Sequence, residues 1–358
     1  MLLDDFDYDL PPSLIAQEPL PRRDDARLMT LDGASGSWAH KRFTDLPGLL
    51  REGDLLVVND TRVRAARLRG RRAAPGTGGR VEALLVEPVE TTERGPGRQL
   101  WRAMVKGAGP AGDPLILGPR LHGVVAGRED AMVLLELSTA DGVDLDEALR
   151  EAGSMPLPPY IRREPADPRD AIDRQRYQTI FAAAEGAVAA PTASLHFTPE
   201  VVAAVRRQGV EIASLTLHVG PGTFQPVRVE RIEQHRLMPE RFLLSEALAD
   251  AVGRTRGRGG RVVAVGTTVT RVLEHRADGA GGVEPGSGWC DLFIVPGHRF
   301  QVIDMLITNF HLPRSTLLML VSAFAGREAV LAAYAEAVSA RYRFYSYGDA
   351  MLLRPSRS

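Results

Sequence analysis

The sequence predicts an α/β main domain, a mixed sheet with flanking helices, that is interrupted by a small inserted β-barrel. From Val210 onward, apolar runs of strand length alternate with helical patterns, which is typical of α/β folds. Between residues 64 and 138, Gly and Pro clusters separate short apolar runs, which is typical of a small barrel or sandwich. We therefore assign residues 1–63 and 151–358 to one discontinuous domain and residues 64–150 to the insertion. A length of 358 residues agrees with two domains.

The composition is that of an ordinary globular chain, with 44% hydrophobic residues, 25% charged residues and a net charge of −1. No apolar run is long enough to cross a bilayer, and the acidic start lacks the order of a signal peptide. We therefore expect a cytoplasmic protein without membrane contact. Cys290 is the only cysteine and the histidines lack metal-ligand spacing, so we predict no metal. Nothing in the sequence demands more than a monomer.

The N-terminal region, residues 4–29, is rich in proline and in neighbouring opposite charges, and it predicts extended segments and turns. Arg22 and Arg23 are candidates for binding a phosphate, and a surface salt-bridge cluster is the alternative. A short buried strand is predicted at residues 55–58. In the insertion, the apolar runs that predict strands are 81–86, 101–105, 115–117, 124–125 and 132–137.

A proline-rich stretch, residues 153–163, lies between a predicted short helix at 145–151 and a predicted helical segment at 170–184. It pairs an aromatic ring with two cations, which suits stacking on a base and holding a phosphate. A surface loop with a packed tyrosine is the alternative. The helical segment carries Asp173, a candidate carboxylate. The aromatic and cationic residues of the stretch are Tyr160, Arg162 and Arg163.

Three irregular stretches each combine a histidine, a proline, small hydroxyl residues and apolar flanks. Proline interrupts regular structure in each of them. Because the stretches share this make-up, we expect them to converge on one site. For each histidine singly, a buried ring that holds a loop is the alternative. The stretches are residues 186–200 with His196, residues 216–227 with His218 and residues 307–318 with His311.

Helix-capping residues and glycine-containing turns predict where the remaining helices and strands begin and end. Thr198 is the predicted N-cap of a helix at 199–208, and Ser315 is the predicted cap of the helix at 315–324. Gly220-Pro221-Gly222-Thr223 is a sharp turn whose N–H groups can meet a ligand, with a plain turn as the alternative. Gly266 and Thr267 begin a helix after a strand, which places N–H donors at a ligand-facing end. Strands are predicted at 210–217, 261–265 and 291–295, helices at 245–254, 267–274, 315–324 and 327–338, and a strand-like end at 344–349.

Several stretches together resemble the S-adenosylmethionine:tRNA ribosyltransferase-isomerases, enzymes of the queuosine pathway. Between residues 6 and 352 they are FDYDLPPSLIAQEP, RDDARLM, VVNDTRVRAARL, GSMPLPPYIRR, YQTIFA, GAVAAPTASLHFT, TLHVGPGTFQPV, VVAVGTT, DMLITNFHLPRSTLLMLVSAFAG and YRFYSYGDAML. No single motif decides, but the set in this order is highly specific. The chain departs from the family at Ser194, where glycine is usual, at Met238, where histidine is usual, and at Val269, where serine is usual.

The resemblance implies transfer and isomerisation of the ribosyl part of S-adenosylmethionine onto 7-aminomethyl-7-deazaguanine at the tRNA wobble position. Epoxyqueuosine-tRNA, adenine and methionine are then the products, and no cofactor is bound permanently. The attacking amine must be neutral, the carbon beside the sulfonium must lose a proton, and the departing adenine needs a proton donor. The catalytic candidates are His196, His218, His311 and Asp173, with Asp304 as a further carboxylate.

The resemblance also implies two binding surfaces, one for the sulfonium nucleoside, which suits aromatic faces, and one for the anticodon stem-loop with an extruded base. An S-adenosylmethionine-dependent RNA methyltransferase and a non-catalytic RNA-binding protein stay open as alternatives. The candidates for binding S-adenosylmethionine are Thr192, Ser194, Phe197, Gly220, Gly222, Thr223, Gly266, Thr267, Asn309 and Phe310. The candidates for binding RNA are Arg22, Arg23, Tyr160, Arg162, Arg163 and Arg314.

Overall fold

The computed structural model describes residues 1–73, 78–89, 97–129, 131–139, 143–164, 167–224 and 227–356. The strands, in chain order, are β1 Arg27–Asp32, β2 Trp38–Arg42, β3 Leu55–Asn59, β4 Thr61–Val63, β5 Arg67–Arg72, β6 Arg80–Pro88, β7 Arg98–Lys106, β8 Pro114–Ile116, β9 Leu121–Glu129, β10 Met132–Thr139, β11 Ala184–Ala187, β12 Glu211–Leu217, β13 Glu240–Leu244, β14 Val262–Val265, β15 Gly286–Cys290, β16 Met305–Asn309 and β17 Ala350–Arg354. The α-helices are α1 Leu145–Ala152, α2 Asp170–Arg176, α3 Pro199–Arg207, α4 Glu246–Gly257, α5 Thr267–His275, α6 Thr316–Ala325 and α7 Arg327–Ser339.

The main domain is built on a nine-stranded mixed sheet with the order β15-β13-β12-β3-β14-β16-β17-β1-β2. The central strands β12, β3, β14 and β16 run parallel to one another. Every residue of β3, β14 and β16 is buried, as expected for parallel strands covered on both faces. Leu248 of α4 and Val272 of α5 pack on one face, and Val201 and Val205 of α3 pack on the other. This architecture confirms the predicted α/β main domain.

The inserted domain is a closed barrel of antiparallel strands in the order β10-β7-β6-β5-β8-β9, which confirms the predicted barrel. Buried residues alternate with more exposed ones along β6, β9 and β10, and they fill the barrel with an apolar core around Trp101 and Leu135. We did not predict β5, because its sequence RLRGRR places only Leu68 in that core. The domain limits at residues 63 and 150 stay predictions.

Side-chain caps begin the main helices where the sequence predicts them. The Oγ1 of Thr198 accepts from the N–H of Val201 at 3.3 Å, and the Oγ of Ser315 accepts from the N–H of Leu318 at 3.2 Å. The observed bounds of α3, α6, α7, β12 and β14 differ from the predicted ones by one residue or less at each end.

Three local predictions are wrong, each because strand pairing or a turn overrides the local sequence. The helix predicted at 170–184 ends at Arg176, and β11 follows and pairs with β4. The strand predicted at 291–295 lies instead at 286–290, where β15 pairs with the edge of β13. Residues 344–349 form turns before β17. The hairpin of β1 and β2 lies mostly beyond the extended region predicted at residues 4–29, and we did not predict it.

Within the described residues, no single helix is long and apolar enough to span a membrane, and α6 and α7 meet those criteria only as a pair bent by 115°.

Candidate active site

The carboxyl ends of the four parallel strands meet at one edge of the sheet, where ligands bind in open α/β folds. His218 directly follows β12, Gly266 directly follows β14, and Phe310 directly follows β16. A cavity of about 580 Å³ lies against the ends of β14 and β16. This volume falls within the range of roughly 300–1,000 Å³ that is usual for small-molecule sites.

The lining of this main cavity is largely apolar, with aromatic rings and a few neutral polar groups. The rings of Tyr160 and Tyr345 lie with their centroids 4.4 Å apart on one wall. No Asp, Glu or Lys is among the described lining residues, and Arg314 is the only arginine there. The other site candidates from the sequence analysis that line this cavity are Thr192, Gly266, Thr267, Asn309, Phe310 and His311.

Two lining residues adopt left-handed backbone conformations that are rare for residues other than glycine. Arg314 has φ +58° and Tyr345 has φ +73°. The N–H of Arg314 donates to the carbonyl of Phe6 at 2.9 Å, and the N–H of Tyr345 donates to the carbonyl of Phe310 at 3.1 Å. Such conformations cost about 1–3 kcal/mol each and concentrate at functional sites.

Asn309 links the cavity to His196. Its Nδ2 donates to the Nε2 of His196 and to the carbonyl of Tyr345, both at 3.1 Å. The Oδ1 of Asn309 and the hydroxyl of Tyr345 are buried and have no hydrogen-bond partner among the described residues. Both residues line the cavity, so the two unpaired polar atoms lie close to its wall.

His196 is 4% exposed and does not itself line the main cavity. Burial, with a further effect of the cations Arg23 and Arg343, lowers its pKa to about 3. The ring is therefore neutral at pH 7, and it reaches the cavity only through Asn309.

His311 lines the cavity and is 7% exposed. Its Nε2 shares a 2.8 Å hydrogen bond with the Oγ1 of Thr308, and its N–H donates to the hydroxyl of Tyr334 at 3.0 Å. Burial lowers the pKa of this ring to about 3 as well. His311 is thus a fixed, neutral imidazole in the cavity wall.

His218 lies outside the described lining of the main cavity. Its Nδ1 shares a 2.8 Å hydrogen bond with the Oγ1 of Thr61, and burial lowers its pKa, with Arg241 and Arg64 adding to the effect. The structure therefore does not bring all three histidines to one cleft, contrary to our expectation. His218 follows β12, and its neighbour Val219, rather than His218 itself, lines the cavity.

The turn after His218 is bonded within the protein. The N–H of Gly220 donates to the Oε1 of Glu240 at 2.8 Å, and Glu240 forms a buried ion pair with Arg271. Gly222 borders a separate cavity of about 30 Å³, and the side chain of Thr223 lies outside the described residues. This turn therefore does not offer the N–H of Gly220 to the main cavity.

Asp173 and Arg163 form an ion pair in the protein interior, with side chains 1% and 2% exposed. The guanidinium of Arg163 contacts the carboxylate of Asp173 at 2.6 and 3.1 Å, and the hydroxyl of Tyr347 donates to it at 2.9 Å. Neither group meets the cavity or the surface, contrary to the roles we expected. Asp304 accepts from Arg256 and from the N–H of Val262 at the opposite edge of the sheet, where β14 begins.

Two further candidates for binding S-adenosylmethionine lie in the core. Ser194 is fully buried, and its hydroxyl has no hydrogen-bond partner among the described residues. Phe197 is also fully buried and packs its ring against Phe43 and Phe181, with centroids 5.0 and 5.4 Å apart. Neither residue lines the cavity.

The candidates for binding RNA differ in their exposure and in whether their side chains already have partners within the protein. Arg162 is exposed, and its guanidinium has no partner among the described residues. Arg22 is 66% exposed and pairs with Asp24 at 3.1 Å, whereas Arg314 is half exposed and pairs with Asp7 at 2.7 Å. The hydroxyls of Tyr160 and Ser346 share a 2.6 Å hydrogen bond, and Arg23 bonds to main-chain carbonyls.

In the described part of the chain, no group of three or more His, Cys, Asp or Glu side chains is arranged to hold a metal ion.

Comparisons with known proteins decide the family. The family model described as queuosine biosynthesis protein matches residues 3–353. The chain belongs to this family. The S-adenosylmethionine:tRNA ribosyltransferase-isomerase of Geobacter metallireducens is 51% identical over 99% of this chain and 100% of its own, and that of Pelobacter propionicus is 52% identical with the same coverage. These matches confirm the resemblance drawn from the sequence motifs.

A solved structure agrees with the fold. The crystal structure of S-adenosylmethionine tRNA ribosyltransferase from Thermotoga maritima is 36% identical and superposes with a TM-score of 0.54. The match covers 98% of this chain and 99% of that one.

Sequence reasoning missed several lining residues. Thr308, Tyr345 and Ser346 line the cavity, yet we named none of them as site residues. The signal was present for two of them, since Tyr345 and Ser346 lie in the last family-like stretch, YRFYSYGDAML. We interpreted that stretch as strand-like, which concealed the left-handed conformation at Tyr345.

Proposed function

We propose that this protein transfers and isomerises the ribosyl part of S-adenosylmethionine onto 7-aminomethyl-7-deazaguanine at the tRNA wobble position. Epoxyqueuosine-tRNA, adenine and methionine are the products. The observation that carries the proposal is the full-length similarity, at about 50% identity, to relatives named for this activity. An RNA methyltransferase and a non-catalytic RNA-binding protein have no comparable support among these relatives.

The main cavity suits a sulfonium nucleoside. Its aromatic rings offer faces to a cation or an adenine, and a cation over a ring gains about 0.5–2 kcal/mol. The Oδ1 of Asn309 needs a donor and the hydroxyl of Tyr345 needs a partner, which the amino and hydroxyl groups of the nucleoside supply. The first residues of α5 and α6 also line the cavity, and helix N-termini favour a carboxylate such as that of the methionine part.

His311 is the proposed catalytic residue, because it is the predicted histidine that lines the cavity. In this proposal the imidazole takes the proton that leaves the carbon beside the sulfonium and returns it to the departing adenine, which requires substrate binding to raise the pKa of the ring from about 3 towards the working pH. His196 acts as a positioning residue, because it accepts from Asn309 and so fixes that amide against the cavity. His218 and Asp173 have no direct role in this proposal.

The extruded tRNA base enters beside Tyr160, whose ring forms part of the cavity wall. The exposed Arg162 is close in sequence and is proposed to contact a phosphate of the anticodon loop. We further propose that the protein acts in the cytoplasm and as a monomer, and sedimentation of the free protein tests the monomer.

Incubation with S-adenosylmethionine and a tRNA that carries the aminomethyl base tests the activity. The proposal predicts free adenine and methionine, whereas S-adenosylhomocysteine would indicate a methyltransferase and binding without product would indicate an RNA-binding protein. We expect His196→Ala and His311→Ala to abolish adenine release while tRNA binding survives. Unchanged turnover in either variant removes that histidine from the mechanism.

A further inference from the structure

A second, smaller cavity of about 20 Å³ lies beside the main one, and Ser346 lines both. Its wall brings together the N-terminal region, the end of α2, the 3-10 turn Thr192–His196 and the turn before β17. The volume admits about one water-sized group. The ring of His196, which reaches the main cavity through Asn309, forms part of the same wall.

Arginines without carboxylate partners surround this cavity. Arg23 and Arg176 line it, and Arg343 donates to the carbonyl of Glu18, next to the lining residue Pro19, so we call these three residues the arginine cluster. None of the three forms an ion pair with a carboxylate in the described part of the chain. The nearby carboxylates are already engaged, since Asp24 pairs with Arg22 and Asp349 pairs with Arg27.

Main-chain carbonyls accept hydrogen bonds from only some of the N–H groups of the arginine cluster. Arg23 donates to the carbonyls of Leu195 at 3.1 Å, Gln175 at 3.1 Å and Arg176 at 3.3 Å. Arg176 donates to the carbonyls of Leu20 at 2.7 Å and Pro21 at 2.9 Å, and Arg343 donates to the carbonyl of Glu18. These contacts hold the guanidinium groups in place without neutralising their charge.

Two nitrogen atoms of the cluster are left over. The Nε of Arg176 and the Nη1 of Arg343 are buried and have no hydrogen-bond partner among the described residues. Burial lowers the pKa of Arg23, with Arg176 adding to the effect, and burial also lowers the pKa of Arg343. Asp349 and Glu18 offset part of this effect at Arg343. Buried cations without an ion-pair partner are costly, and an oxyanion that accepts from several guanidinium groups removes that cost.

We propose that a phosphodiester group of the bound tRNA, next to the nucleotide whose base enters the main cavity, completes the arginine cluster. The inference rests on the proposed function, because it assumes that a tRNA loop lies across this surface. A phosphate oxygen suits a cavity that admits one water-sized group, and Arg22 at the rim, 66% exposed, adds charge to the approach. The carboxylate of S-adenosylmethionine is the competing source of an oxyanion, and the main cavity already offers it two helix N-termini.

Arg23→Gln and Arg176→Gln test the proposal in the full-length protein. Fluorescence anisotropy with an unmodified tRNA transcript, at several salt concentrations, gives the dissociation constant and its salt dependence. We expect binding about tenfold weaker in each variant, because a buried, hydrogen-bonded charge is lost. The slope of log Kd against log salt should fall by about 0.7–0.9, the value for one lost phosphate contact.

Arg207→Gln is the matched control. Arg207 is exposed and ends α3, and Gly209, shortly after it, accepts from the N–H of Gly53 at the edge of the sheet opposite the cavities. This variant loses the same charge, and we expect wild-type affinity and slope.

Wild-type affinity and slope in both cluster variants would overturn the proposal. A raised KM for S-adenosylmethionine with unchanged tRNA binding would also overturn it, and would assign the cluster to the carboxylate. The binding assay contains no S-adenosylmethionine, so a failure to release adenine would count against the proposed function alone.

Two further measurements test the proposal even if the glutamine variants fail to fold. Arg23→Lys keeps the charge and should keep the salt slope. Inorganic phosphate should raise the thermal midpoint of the wild-type protein above that in chloride at equal ionic strength. The claim that the arginine cluster binds an oxyanion would be contradicted if the thermal midpoints in the two salts were equal and if Arg23→Lys also reduced the slope of log Kd against log salt.

Discussion

Acid should destabilise this protein through its two buried histidines. Burial lowers the pKa of His196 and of His311 to about 3, against an ordinary value of 6.5. Between these pH values each histidine ring is protonated in the unfolded chain but neutral in the folded chain. The free energy of unfolding therefore falls as the pH decreases from 6.5 towards 3. At pH 5.0, 1.5 units below the ordinary value, each ring costs about 2 kcal/mol, at 1.36 kcal/mol per unit.

Urea unfolding of the wild type, His196→Gln and His311→Gln at pH 7.0 and pH 5.0 measures this cost. Each variant should lose about 2 kcal/mol less than the wild type between the two pH values, because the other titrating groups are common to all three proteins. His122→Gln is the control, since His122 on β9 is exposed and its replacement removes a histidine without removing a buried ring. An equal loss in all four proteins would show that the two rings are not held neutral by burial.

Three further substitutions test other parts of the structure. Asp54→Ala should lower the free energy of unfolding by about 3 kcal/mol, because Asp54 is fully buried and its carboxylate holds Arg261 at 2.6 and 3.0 Å; urea unfolding measures it, and a change near zero would contradict a structural ion pair. Ser194→Ala should raise stability by about 1 kcal/mol, because it removes a buried hydroxyl without a partner; a loss of stability would show that this hydroxyl is bonded. Arg162→Ala should weaken tRNA binding and flatten its salt dependence, while Arg207→Ala should not; an unaltered slope in Arg162→Ala would exclude a phosphate contact there.

The sequence predicts the elements whose signals are local. Thr198 and Ser315 cap helices as expected, and the apolar runs of β3 and β14 are buried in the central sheet. Elements that depend on a distant partner were missed or misplaced. The arginine-rich β5 is a strand because β6 and β8 flank it, and β15 is a strand because β13 presents an open edge.

The candidate site was predictable in part. His311 was found because it lies in an irregular stretch with a proline and small hydroxyl residues, and Asn309 was found from the family resemblance. Both residues line the cavity. The exclusion of Asp173 was not predictable, since its partner Arg163 lies in a separate irregular stretch and only the fold brings the two together. The same holds for the arginine cluster, whose members come from the N-terminal region, the end of α2 and the segment before β17.

A crystal structure of the protein with S-adenosylmethionine bound tests the central claim most directly. The account predicts the nucleoside in the main cavity, with its polar groups on the Oδ1 of Asn309 or the hydroxyl of Tyr345 and its ribose facing His311. Nucleoside density beside His218, with the main cavity empty, would contradict it.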